Sequence, residues 1–168
     1  MLSVGLSGAD EAATRLYALP AAVAAVLATK ATALAEDLRR HVVDDKLSGQ
    51  VLQTRSGTLK DSIAAEVVVD GDQVLARVYS SGDVKYAMIQ EYGGRTGPHD
   101  ILPVKAKALM FLVGGRQVFA KIVHHPGSDI PERSYLRSSL DDFAEIIAGE
   151  LKSAALVAVQ GRFPDLGA

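Results

Sequence analysis

Two stretches of helical periodicity, one toward each end of the chain, bracket a middle that has none. In PAAVAAVLATKATALAEDLRRHVV, which begins at Pro20, the residues Val23, Val26, Leu27, Leu34, Leu38 and Val42 recur at helical spacing. Lys30, Glu36, Asp37, Arg39 and Arg40 fall mostly elsewhere, so the pattern predicts a long amphipathic helix whose many alanines permit close packing. Toward the other end, Leu136, Leu140, Phe143, Ile147, Leu151 and Leu156 mark the buried stripe of a second helix, starting near Pro131 or Ser134. Before Pro20, GADEAATRLYAL predicts a short separate helix, with acidic residues in its first turn and the proline favouring a new start.

The middle carries strand signals. IAAEVVVD and QVLARVYS flank Asp70-Gly71-Asp72, and ILPVKAKALMFLV and RQVFAKIV flank Gly114-Gly115; each pair predicts a β-hairpin, with Pro103 suited to an edge or a strand start. Neither run of the first hairpin alternates strictly, which predicts partial cover on both of its faces. Between the hairpins, YAMIQEYGG predicts a short helix capped by Asp83, packed through Tyr86, Met88 or Ile89, and ended by Gly93 or Gly94 in the left-handed conformation. Residues 44–57 and 93–100 read as loops, and HHPGSDIPERS as irregular.

These elements predict an α+β fold: a two-layer subunit, with a mainly antiparallel sheet from two hairpins packed against the N-terminal and C-terminal helices. At 168 residues the chain suits one domain. Its expected parts are an arm and short helix over 1–19, the long helix over 20–45, hairpins and loops over 46–130, the closing helix over 131–160 and a tail over 161–168. Phe163 is the residue that could tie the tail down.

A formal charge of −2 gives no global attraction to nucleic acid or to an anionic membrane. The run YALPAAVAAVLA is shorter than the roughly 20 apolar residues that a membrane crossing needs, and Asp10 and Glu11 precede Arg15 where a signal peptide would be basic. Absence of cysteine excludes disulfide and thiolate chemistry.

Motifs for chemistry are poor. His124-His125 with Asp129 and Glu132 resembles a metal site, but adjacent strand residues point to opposite faces, so no metal is expected. Gly93-Gly94-Arg95-Thr96-Gly97 follows a helix and leads toward a strand, the reverse of a phosphate loop. Glu91 near His99, or Ser56 or Ser62, lacks a nucleophile motif. The reading is therefore of a non-enzyme with no cofactor. Basic residues are spread along the chain, and Lys60, Lys105, Lys107, Arg116 and Lys121 are the candidates for facing DNA if a ring of subunits multiplies their field.

The order of motifs says more than any one of them. SGTLKDSI, a hairpin, YAMIQEYGG, ILPVKAKALMF, KIVHHPG and IPERSYLRSSLDD follow one another in a way that resembles the tail-component family of long-tailed bacteriophages. Its members are also described as head-to-tail joining or tail completion proteins of lambda-like and related phages and prophages. The residues that match are Ser56-Gly57, Leu59, Lys60, Ser62-Ile63, Tyr86-Ala87, Glu91-Tyr92-Gly93, Pro103, Lys105, Leu109, Phe111, Pro126-Gly127 and Tyr135-Leu136. Tyr135 stands where the family usually has phenylalanine, and Glu132 and Arg133 where it has smaller residues.

The resemblance covers roughly residues 16–150. It implies a structural subunit of the virion neck or tail, assembled in the bacterial host cytoplasm into a homomeric ring, usually sixfold. Its partners would be head-tail connector and tail-tube proteins, with non-specific contact to packaged DNA and none to membrane. The loops 44–57 and 93–100 would then be interfacial, with Lys46, Gln50, Arg55, Glu91, Tyr92, Gly93, Gly94, Arg95 and His99 as candidate interface residues.

Overall fold

A computed structural model describes residues 9–71, 73–82 and 84–162. It is mixed helix and antiparallel strand, as the periodicities predict: a long helix first, hairpins between, and a helix last. The described chain divides into two compact units, one of the residues up to Lys85 together with those from Tyr135 on, the other the Tyr86–Ser134 segment between them.

In the first unit, helix α1 spans Ala9–Asp44 without interruption, with Pro20 inside it. Pro20 was expected to separate two helices. A proline removes one backbone donor and crowds the preceding turn, at a cost of about 3 kcal/mol, and the strong helix formers on either side carry the helix past it. Continuity also lengthens the apolar stretch. By length and composition alone Leu16–Ser48 could cross a membrane, so the short-run argument against it does not hold. The same helix instead packs on the last helix and on both strands of the first hairpin, and carries Lys30, Arg39 and Arg40 in ion pairs with Glu150, Glu36 and Asp37.

A 3-10 turn at Lys46–Ser48 and the short helix α2 (Thr58–Asp61) lead into the first hairpin. Its strands β1 (Ile63–Asp70) and β2 (Gln73–Ser80) pair in unbroken register from Ile63 opposite Ser80 to Asp70 opposite Gln73. Asp72, in the turn, lies outside the described residues. Burial is greatest near Ile63 and Ser80 and falls toward the turn, where Val69 and Leu75 are exposed, so the partial cover expected on both faces is confined to one end of the hairpin.

SGTLKDSI sets the start of this hairpin. Gly57 takes φ +82°, and the Ser62 hydroxyl lies 2.7 Å from both the Leu59 carbonyl and the Ser80 hydroxyl. The Ser62 carbonyl accepts the backbone N–H and hydroxyl of Ser81 at 2.7 and 2.8 Å. A buried serine whose groups are all answered pins the strand ends where Ile63 enters the core.

Helix α4 (Arg137–Arg162) closes this unit against α1. It begins later than Pro131 or Ser134, after a Ser134 held at φ +36°. The buried stripe also differs from the expected one: Leu140 and Leu156 are exposed, while Ser139 and Ala154 are buried. On α1 the buried positions are Ala24, Ala31, Leu34, Ala35, Leu38 and Val42, and Val26 is exposed. Small residues take much of the contact, which lets the helices approach closely and leaves some large side chains outside it. The core gathers Val42, Leu47, Ile63 and Tyr135, with Leu59, Val78 and Leu136 packed around them.

The second unit is a two-stranded arm built outward from helix α3 (Ala87–Tyr92). Strand β3 (Gly94–Arg95) pairs with β8 (Asp129–Ile130), β4 (His99–Ile101) with β7 (Val123–His125), and β5 (Leu109–Val113) with β6 (Arg116–Ala120). The two predicted hairpins thus form, each as its own two-stranded ribbon rather than as parts of one sheet. The second is longer than predicted, because residues 93–100 and 124–130, expected as loop and irregular chain, supply most of its inner strands.

Candidate interaction surface

Two glycines hold the base of the arm. Gly93 has φ +70° and ψ −176°, a region open essentially to glycine alone and not the left-handed cap expected. A Cβ there would stand 2.8 Å from the Glu132 nitrogen and 3.0 Å from the Ile130 oxygen. The returning strand lies that close because the Arg133 and Ser134 N–H groups donate to the Gln90 and Glu91 carbonyls at 2.9 and 3.1 Å, answering carbonyls that the end of α3 leaves open. Gly127, at φ +92°, is pressed against the Thr96 carbonyl, where a Cβ would overlap backbone. Thr96 and Ser128 complete the crossing: each backbone N–H donates across it, to the Ser128 carbonyl at 2.9 Å and to the Thr96 hydroxyl at 2.8 Å.

Above this crossing the histidines separate by face. His99 and His125 sit opposite each other with rings stacked 5.0 Å apart. The Gly127 N–H donates to His125 Nδ1 at 3.0 Å, and His99 Nδ1 faces the Gly97 carbonyl at 3.1 Å. His124 turns to the other face and bonds the Asp100 carboxylate. Alternation thus keeps the two adjacent imidazoles apart, as strand geometry requires. Among the described residues no group of three or more His, Asp or Glu is placed to hold a metal.

Past Ile101 and Val123 the register changes, because residues 102–108 on the outgoing strand face only residues 121–122 on the return. Pro103 lies in that longer side rather than starting a strand. The outer ribbon then closes through Gly114 and Gly115, both at positive φ, as a two-residue turn of this hand needs. Its apolar side chains are uncovered: Leu112 is 68% exposed and Phe119 66%, with Met110 and Val113 also more than half exposed. Lys105, Lys107, Arg116 and Lys121 rise from the same segment, and none of them forms an ion pair among the described residues. Residues 101–128 contain these four cations and no acid.

The candidate residues thus divide. Lys105, Lys107, Arg116 and Lys121 all belong to the outer arm, whereas Lys60 belongs to the other unit, 3.0 Å from the Ser48 hydroxyl and 3.8 Å from Asp44. Gln50 and Arg55 are exposed there. Lys46 is only 6% exposed, with its ammonium 2.7 Å from Asp142, so it is an internal ion-pair partner and not a free loop cation. At the base of the arm Glu91 is 3% exposed, Tyr92 is exposed, Gly94 and Arg95 pair with β8, and Arg95 lies 3.7 Å from Asp129. Tyr86 and Met88 are exposed, while Ile89 is half-buried and lies closest to Gly94. Asp83 lies outside the described residues, as do residues 163–168.

One cluster was not foreseen. His41 Nδ1 lies 2.7 Å from Asp45 and Nε2 3.1 Å from Asp142, with the ring 5.1 Å from that of Phe143. Lys46 reaches the same Asp142 carboxylate, and its hydrogen bond, followed by that of His41, holds the Asp142 carboxyl below the ordinary carboxylate range. The network clamps α1, the 3-10 turn and α4 together. Charge spacing along α1 hints at it, but its key member lies on a helix distant in sequence.

Compared with family models, curated proteins and solved structures, the chain matches none.

Proposed function

We propose that the chain is a structural, non-enzymatic component of a long-tailed phage virion, completing the tail and joining it to the DNA-filled head as a subunit of a homomeric ring. The observation that carries this reading is the outer arm, a ribbon with uncovered apolar faces, four unpaired cations and no acid. Exposed apolar surface of this kind marks contact with another molecule. The motifs behind the resemblance support it further, because they sit at points that build the fold: Ser62 ties the first hairpin, Gly93 and Gly127 form the arm's base, and Tyr135 is the most buried large side chain.

Within this reading the position is tail-side; the alternative in the same class is a stopper ring on the connector side. A nucleic-acid module is the second reading, favoured by the same four cations beside Phe111 and Phe119. It predicts affinity for single-stranded or duplex DNA that falls steeply with salt. Electron microscopy and mass measurement of the purified protein with tails and connectors separate the two. Rings on tail ends support the virion role, and a strictly monomeric protein absent from particles defeats it.

A further inference from the structure

The outer arm needs a cover. Two-stranded ribbons are at best marginally stable alone, and this one turns large apolar side chains to solvent. Charge narrows what the cover can be. Tyr86–Ser134 holds six cations against four acids, while the rest of the chain holds twelve against sixteen, so the two units carry opposite net charge.

Part of the acidic excess lies on α4 with apolar surface beside it. Asp141 and Glu145 on α4 form no ion pair among the described residues, and Ile146, Leu156 and Val157 on the same helix are more than half exposed. Ile146, Gly149, Ser153 and Val157 fall on one face at helical spacing, with Glu150, paired to Lys30 of α1, at its inner border, and nothing stands within 4 Å of where a Gly149 Cβ would be. That face carries Ile146 and Val157 toward its two ends, and Asp141 and Glu145 lie toward its outer edge with Lys152 as the cation near them.

We infer that the outer arm of one copy docks on this outward face of α4 of a second copy. Phe119 and Leu112 lie along the Ile146–Gly149–Val157 line, and Lys105 and Arg116 meet Asp141 and Glu145. The contact joins two different surfaces, so repetition closes a ring or extends a filament. The inference deepens the ring reading above and rests on it for biological setting alone.

The test exploits the absence of cysteine. Full-length Leu112→Cys and Ile146→Cys chains, each checked for wild-type circular dichroism and melting, are mixed and mildly oxidised. The expected result is a disulfide-linked heterodimer at least about tenfold above that from Leu112→Cys mixed with Leu75→Cys, an exposed control on the first hairpin. Adding Lys105→Glu and Arg116→Glu to the arm chain should abolish the excess, and adding Asp141→Lys and Glu145→Lys to the helix chain should restore it. Equal yield with the control, or no response to charge reversal, overturns the docking. So does binding of the wild-type chain to anionic vesicles or DNA with no cross-linked excess. Loss of cross-linking in a chain that still co-purifies with tails removes only the docking surface, whereas strong cross-linking in a chain absent from particles removes only the virion role.

Discussion

The unit made by α1, the first hairpin and α4 and the unit made by Tyr86–Ser134 are stabilised in different ways. The first has a side-chain core: Val42, Leu47, Ile63 and Tyr135 are almost fully buried, and an ion-pair network ties its helices. The second relies on backbone pairing and on two glycines where any side chain would strain the backbone, while many of its apolar side chains are exposed. A domain that buries its apolar residues is finished by folding; one that displays them is finished by assembly.

The largest effect separating the two lies in the core. Tyr135→Ala should lower global stability by about 3–5 kcal/mol, read as a fall in the urea midpoint at unchanged slope, because the cavity opens where the helical unit is best packed. Next comes the base of the arm. Gly127→Ala combines positive φ with overlap on the Thr96 carbonyl and should cost the arm about 3 kcal/mol or more. Hydrogen exchange should then show lost protection in β4 and β7 with β1 and β2 unchanged; loss in both units would erase the distinction.

The two units also differ in how visible they are in sequence. Both long helices are legible because apolar residues repeat every three or four positions over many turns, and a small-residue interface then shifts which of them are buried, as at Leu140 and Leu156. Pro20 does not break the helix, because the cost of one proline is local while the helix formers on both sides act over many turns. The inner arm strands could not be read: β3 and β8 are two residues each and pair across residues 96–128, which hold the rest of the ribbon, so they have no period to detect. Gly93 was recognisable as a special glycine, but the reason for it, close approach of Ile130 and Glu132, is tertiary. Lys46 looked like a loop cation because its partner Asp142 belongs to the last helix.

Acid sensitivity provides a smaller contrast, confined to the helical unit. Because the Asp142 carboxyl is depressed in the folded chain, its contribution is fully present above its unfolded value, near pH 4, and is lost as pH falls through the folded value. Urea midpoints of the wild type should therefore drop more than those of Asp142→Asn as pH is lowered from about 5 to 3. Parallel curves would show that the Lys46 and His41 contacts do not set the acid limb. Smallest of all is Leu112→Gln at the arm tip, which should leave the free chain within about 0.5 kcal/mol of wild type while weakening self-association. A stability loss above that range would mean that the tip is already packed.

The central claim is that the outer arm is finished by a partner, and hydrogen exchange of β5 and β6 measures it most directly. Amides of Leu109–Val113 and Arg116–Ala120 are compared between dilute free protein and tail-associated protein, with β2 as internal reference. The account predicts at least about tenfold slower exchange in these strands on assembly, with β2 unchanged. Equal exchange of the arm in both states would contradict it.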